Sequence, residues 1–147
     1  EWMRSIDAIN FMADFYKDFD KEKALRMLEA FQLPLKQKIK TMSKGMQEKL
    51  QLLIVMSRAS KLYCLDEPLG GVDPATRSAI LDVIMNNYAE KSTVLISTHL
   101  INDVERIFNS VLMIGEGKVK LDSSIDEIRE SGRSVEEIFK EVFSFGW

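Results

Sequence analysis

The sequence predicts an α/β fold in which a helical segment precedes a parallel sheet flanked by helices. Three observations lead there. Up to about position 60, apolar residues recur at helical spacing, which marks helices with one buried face. Beyond it, two short apolar runs, 62–65 and 93–97, each lead into a further helical pattern, and that strand-helix-strand-helix order implies parallel strands. Finally, 147 residues with 46% hydrophobic and 29% charged side chains can build one real core, as a compact domain or a large piece of a bigger one.

Taken in order, Ile6, Ile9, Met12, Tyr16 and Phe19 form the first apolar stripe, with Ser5 expected to cap and Asp7 in the first turn. Asp20 reads as the cap of a second helix whose stripe is Ala24, Leu25, Leu28 and Phe31, and Pro34 is expected to stop it. A basic connector, 36–40, precedes a third helix with Met46, Leu50, Leu53 and Ile54 on one face and Ser43 at its cap. The run 62–65 reads as a buried strand, and its Cys64 as a small buried hydrophobe. Asp73-Pro74 is a strong helix start, followed by Ile80, Leu81, Ile84 and Tyr88. The second buried strand, 93–97, runs through Thr98 and His99 into a helix carrying Ile101, Val104 and Phe108. Gly115-Glu116-Gly117 then turns a strand over 111–114 back into 118–121 as a hairpin. Two capping boxes, Ser124 with Glu127 and Ser134 with Glu137, open the closing helices, the last of which is expected to bury Val135, Ile138, Phe139 and Val142. No internal repeat and no long hinge linker interrupts this order.

Composition narrows the partners. A formal net charge of −3 does not suit a phosphate-neutralising surface, so no nucleic-acid partner is expected. A single cysteine excludes an internal disulfide and fits a reducing compartment. The longest unbroken apolar run, 52–56, is too short to span a bilayer, and no signal-peptide pattern opens the chain. The chain starts at Glu1 without an initiator methionine, as expected of a fragment, a processed product or an incompletely covered chain.

Chemistry is expected where the first strand ends. Asp66 and Glu67 close an apolar run and are followed by Pro68 and the pair Gly70-Gly71, and open α/β sheets bind ligands at the carboxyl ends of their strands. Adjacent carboxylates there can divide labour, one holding a metal ion and the other orienting or deprotonating a water. Such a pair is equally the mark of a solvated turn. Ser43 and Gly45 at a helix start can receive a phosphate oxygen on exposed backbone N–H groups, or serve as an ordinary cap. His99 follows the second strand and falls at the same carboxyl edge.

Combination and order carry more than any one of these signals. Met42-Ser43-Lys44-Gly45-Met46, then Leu65-Asp66-Glu67-Pro68, then Gly71-Val72-Asp73-Pro74, then Ser97-Thr98-His99 resembles the nucleotide-binding domain of ATP-binding cassette (ABC) transporters. The 23 positions from Ser43 to Asp66 leave room for one helix and a turn before the strand. Ser43 through Leu50, with Gly70 through Pro74, looks most like the bacterial export-type branch related to bacitracin-resistance ATPases. The resemblance implies ATP and Mg²⁺ as cofactors. It makes Asp66 the metal carboxylate, Glu67 the base or orienter of the attacking water, and His99 the contact to the terminal phosphate. It places Ser43, Lys44 and Gly45 on a nucleotide held by the opposite subunit, with Asp73 in the D-loop that helps join the two. Lys44 stands where the commonest signature has a glycine and Met46 where it has a glutamine, which puts the glutamine's role in doubt.

No Gly-x-x-x-x-Gly-Lys-[Ser/Thr] occurs in the chain, and the family places that phosphate-binding loop upstream. The resemblance therefore covers the second half of a P-loop NTPase-like domain. It divides the chain into a helical signature subdomain, 1–60, and the carboxyl-terminal part of the ATPase core, 61–147. The implied parent is the ATP-hydrolysing subunit of a transporter, cytoplasmic and peripheral to the inner face of the cell membrane. Its partners would be a second nucleotide-binding subunit, identical or not, and a separate transmembrane permease; the chain alone is not expected to be active. The alternatives are a soluble cassette ATPase acting on nucleic acid or ribosomes and a non-catalytic cassette-derived binding module. The long coiled coils of the DNA-repair members and the paired cassettes of the translation members do not occur here, and the intact Asp66-Glu67 pair and His99 speak against lost catalysis.

Overall fold

The computed structural model describes residues 2–144, which fall into two compact units divided between Thr98 and His99. The first unit holds helices α1 (Ser5–Phe15), α2 (Lys21–Ala30) and α3 (Lys44–Met56), then strand β1 (Leu62–Asp66), helix α4 (Pro74–Asn87) and strand β2 (Thr93–Ser97). The second holds the short helix α5 (Ile101–Val104), strands β3 (Ser110–Gly115) and β4 (Lys118–Ser124), and helices α6 (Ile125–Glu130) and α7 (Val135–Phe143). This is an α/β chain, as its sequence predicts.

The first three helices are knit together by their ends. The α1 cap is Arg4 and not Ser5: the Asp7 carboxylate accepts the Arg4 backbone N–H at 2.9 Å and the Arg4 guanidinium at 2.8 and 3.0 Å. Ser5 is instead fully buried, and its hydroxyl donates to the Pro34 carbonyl at 2.9 Å, fixing the 34–39 connector against α1. Helix α2 stops before Pro34 takes effect. Gln32 adopts a left-handed φ of 55°, and the Leu33 and Gln32 N–H groups return to the Leu28 and Glu29 carbonyls, a Schellman end built without glycine. The buried faces are Ala8 and Ile9, then Ala24, Met27 and Leu28, then Leu50, Leu52, Leu53 and Met56. Met12 and Tyr16, expected within the α1 stripe, are only partly covered, and Phe15 on the same helix is 70% exposed.

β1 and β2 pair in parallel, from Leu62 opposite Thr93 to Asp66 opposite Ser97. Both were expected to be buried; each is covered on one face only, fully in β1 and partly in β2. Tyr63 and Leu65 point inward, whereas Leu62 and Leu95 are more than half exposed and Cys64 is exposed with them. Helices of the first unit cover a single face of this two-stranded sheet, so the burial alternates with the pleat.

Behind the sheet, Tyr63 joins three elements. Its ring is 2% exposed, and its hydroxyl donates to the Arg58 carbonyl at 2.5 Å while accepting the Ser60 and Ala89 N–H groups at 3.3 Å each. Arg58 in turn forks onto Asp18 at 3.0 and 3.1 Å and lies 3.9 Å over the Tyr16 ring, tying the α1–α2 hairpin to the end of α3. The Lys23 ammonium donates to the Asn87 carbonyl at the carboxyl end of α4, where a cation is favoured.

In the second unit, Met113, Ile125, Ile128 and Val135 form the core, with Phe108, Leu121 and Ile138 packed on it. The helix expected to carry Phe108 ends at Val104, and Phe108 packs on this core directly ahead of β3. The β3–β4 hairpin is antiparallel, and both capping boxes form as read: Ser124 with Glu127, and Ser134 with Glu137.

Tyr63→Phe retains the buried ring and deletes the hydroxyl, leaving a carbonyl and two N–H groups without it. A loss of about 1–3 kcal/mol in denaturant-unfolding free energy is expected. A change under about 0.5 kcal/mol, the range of neutral surface substitutions, would show that the three-way junction is not held by this group.

Candidate functional site

Two clusters of the first unit carry the residues singled out by sequence. The first is the carboxyl end of the parallel pair. Asp66 is the last residue of β1 and Glu67 the first beyond it, and both are exposed. Glu67 has a φ of 44°, a left-handed conformation that costs an ordinary residue about 1–2 kcal/mol. The turn is nonetheless well held. The Glu67 N–H donates to the Ser97 carbonyl at 2.9 Å, and the Glu67 carbonyl accepts the Gly70 N–H at 2.9 Å. A side chain at Gly70 would stand 3.2 Å from that carbonyl, a tight contact that glycine avoids. Leu69, fully buried, and Val72 anchor the loop from below.

Ser97, which sequence reasoning passed over as the end of a strand, stands opposite Asp66. Its hydroxyl donates to Asp66 Oδ1 and accepts the Glu67 N–H at 3.2 Å. The signal was available in retrospect: a hydroxyl residue closing an otherwise apolar run, two positions before His99. His99, the third residue expected at this edge, opens the second unit and is exposed.

The second cluster is the start of α3. Ser43 is its N-cap, accepting the Met46 N–H at 3.3 Å, and is exposed. Gln47, not singled out by sequence, donates to the Ile39 and Met42 carbonyls at 3.1 and 3.2 Å and so holds the loop leading into the helix. The Lys44 ammonium lies 3.8 Å from Glu48 and only 3.0 Å from where a Gly71 side chain would begin. Gly71, with a φ of 72°, thus supplies both a left-handed turn and room for Lys44. Gly45 is different. It needs no positive φ, and a methyl group there would meet only Val72 at an ordinary 3.8 Å. Among the described residues, nothing requires glycine at that position.

Asp73 acts locally as the cap of α4. Its two oxygens accept the Thr76 N–H at 3.0 Å and the Thr76 hydroxyl at 2.6 Å, and these bonds hold its carboxyl below the usual carboxylate range.

The donor set sets a limit on metal chemistry. Among the described residues no three His, Cys, Asp or Glu side chains group to form a metal cage. An exposed carboxylate pair fits a hard cation such as Mg²⁺, which takes one or two protein carboxylates and completes its shell with water and substrate phosphates. No helix among the described residues is long and apolar enough to cross a membrane.

Comparison with known proteins places this geometry. Residues 6–102 match the family model described as "AAA domain, putative AbiEii toxin, Type IV TA system". The chain is 27% identical over 123 residues to the ABC transporter ATP-binding protein YtrB of Bacillus subtilis, covering 83% of this chain and 42% of that protein. It is 31% identical over 110 residues to the lantibiotic transport ATP-binding protein SrtF of Streptococcus pyogenes, covering 75% of this chain and 46% of that protein. Among solved structures, one described as the ATP binding subunit of an ABC transporter superposes with a TM-score of 0.81 at 27% identity, over 95% of this chain and 62% of that one. The chain thus spans less than half the length of these two curated relatives.

The depressed Asp73 carboxyl makes the α4 cap sensitive to acid. Its folded pKa lies below its unfolded value, so the stability it adds is complete above the ordinary carboxylate range and is lost as pH falls through the folded pKa. Asp73→Asn, which keeps a capping side chain without the charge, is expected to be less stable than the parent chain near neutral pH. The difference should shrink towards zero in strong acid, as followed by urea unfolding across pH. A constant difference at all pH values would contradict a charge-dependent cap.

Proposed function

This chain belongs to the AAA-domain family and is related to the ATP-binding proteins of ABC transporters, and on that premise we propose that it forms the signature and Walker B half of an ATP-hydrolysing transport subunit. The observation that carries the proposal is the exposed Asp66-Glu67 pair at the end of a parallel strand, without the further ligands of a protein-only metal cage. Such a site suits a cation that arrives with a nucleotide. When bound, Mg²⁺ supplies electrostatic stabilisation of the charge on the transferring phosphoryl group. Asp66 would hold the cation. Glu67 would orient the attacking water and take its proton, and His99 would contact the terminal phosphate.

Ser43, Lys44 and Gly45 would meet a nucleotide held by a second subunit, with Asp73 in the loop that joins the two. Gly45 supports this reading. A helix-start glycine that costs helix stability and is needed by no neighbour among the described residues is accounted for by close approach from outside. Lys44, beside Gly71, links this helix start to the loop that follows the carboxylates.

The division into a helical subdomain, 1–60, and an ATPase-core part, 61–147, belongs to the same proposal. The exposed aromatic stripe of Phe11 and Phe15 on α1, their rings 5.3 Å apart, supports a partner-facing role for the helical part, with a transmembrane permease as the partner. Such a subunit works on the cytoplasmic side of the cell membrane. The export-type branch suggested by the signature wording belongs to the same proposal. The 147 residues contain no Gly-x-x-x-x-Gly-Lys-[Ser/Thr], so the lysine and backbone cradle for the phosphates would come from elsewhere in the protein, and these residues alone would bind ATP weakly.

In the full-length protein containing this chain, Glu67→Gln is expected to retain ATP binding and to lower the hydrolysis rate roughly 10²–10⁴-fold, or about 3–5 kcal/mol of barrier. Steady-state turnover with a parallel nucleotide-binding titration checks this. Turnover within a few-fold of the unmutated protein would remove Glu67 from the role of base.

A further inference from the structure

The two neighbours of the Ser97 hydroxyl fix its proton and one of its lone pairs. An ionised Asp66 can only accept, so the hydroxyl proton goes to Asp66 Oδ1; the Glu67 N–H can only donate, so it takes a lone pair on the same oxygen. The parallel register places Ser97 opposite Asp66, while the Ser97 carbonyl independently receives the Glu67 N–H at 2.9 Å. An alanine here would keep the strand pairing and the carbonyl bond but remove both hydroxyl contacts. A threonine would keep them, and β-branching suits a strand.

We propose that Ser97 is a positioning residue for ATP hydrolysis: one hydroxyl orients the metal-holding carboxylate of Asp66 and, through the Glu67 N–H, the left-handed turn from which the base projects. The inference rests on the reading of Asp66 and Glu67 given above. Binding one carboxylate oxygen to Ser97 leaves the second for the cation, so Asp66 is presented as a single-oxygen ligand of defined orientation. Outer partners of this kind govern metal affinity and turnover by roughly 10- to 100-fold. The left-handed φ of 44° at Glu67 gives the second contact its purpose, since that conformation persists only where surrounding bonds determine it.

The test compares the full-length protein with its Ser97→Ala and Ser97→Thr variants. Mn²⁺ binding in the presence of ADP is read by electron paramagnetic resonance, and kcat and KM for ATP are measured at saturating Mg²⁺. Ser97→Ala is expected to weaken Mn²⁺ binding and to lower kcat, each roughly tenfold or more, while KM for ATP and the melting temperature stay close to the parent. Ser97→Thr should restore both readouts. Normal Mn²⁺ binding and turnover in Ser97→Ala would overturn the positioning role. A Ser97→Thr variant as impaired as Ser97→Ala would also overturn it, by showing that the position matters for packing and not for its hydroxyl. If the unmutated protein bound ADP but hydrolysed no ATP, the underlying functional reading would fail and this inference with it; an active parent beside an unaffected Ser97→Ala defeats this inference alone.

Discussion

Pairing Asp66 with Ser97 at the last step of a parallel ladder is the constraint on which the candidate site depends. A parallel strand presents its side chains with a period of two, so a one-residue slip would carry Asp66 to the covered face and bring Leu65 to the exposed one. The register is secured from within. Tyr63 and Leu65 are buried on the helix-covered face, and alternation then delivers Asp66 outward at the strand end. The ladder ends there with the Glu67 N–H on the Ser97 carbonyl, and the chain turns at once into the left-handed residue and the glycine pair. Position, exposure and backbone direction of both carboxylates thus follow from one register.

That register is fixed to the helical part of the unit by Tyr63. A phenol buried in the core needs a partner for its hydroxyl, and here it has three, from the end of α3, the approach to β1 and the segment after α4. The Arg58 backbone that receives this hydroxyl also presents the guanidinium held by Asp18 and Tyr16. A movement of α1, α2 or α3 is therefore felt at β1 through a short chain of polar contacts. Lys23, on the Asn87 carbonyl, adds a second tie between α2 and α4. Under the function proposed above, such ties would supply a physical connection between the nucleotide site and a partner at the helical face.

Much of this was legible in the sequence because it rests on local chemistry. Asp20, Ser43, Asp73, Ser124 and Ser134 all cap the helices they were read to start, since a cap needs only a short side chain and the N–H two or three residues on. Local reading failed where a distant partner decides. Ser5 has the chemistry of a cap, but burial against Pro34 took its hydroxyl and left the task to Arg4 and Asp7. The α2 stop was assigned to Pro34 because proline is visible in a sequence, whereas a glutamine at φ 55° is not. Cys64 was read as buried because the apolar run 62–65 does not reveal that only one of its faces is covered. Ser97 was read only as the lead-in to Thr98 and His99 for the same reason. Its importance lies in what stands across the sheet, and a single strand does not state its own neighbour.

The central claim is that the β1–β2 end holds the metal and the attacking water, while the start of α3 reaches a nucleotide bound by another subunit. The most direct measurement is a crystal structure of the full-length protein, carrying Glu67→Gln to halt turnover, with ATP and Mg²⁺ bound. The account predicts Asp66 on the cation directly or through one water, residue 67 beside the water facing the terminal phosphate, and Ser43 and Gly45 against the terminal phosphate of the partner subunit's nucleotide. A nucleotide bound with its phosphates away from Asp66, or with Ser43 and Gly45 turned to solvent in an ATP-bound dimer, would contradict it.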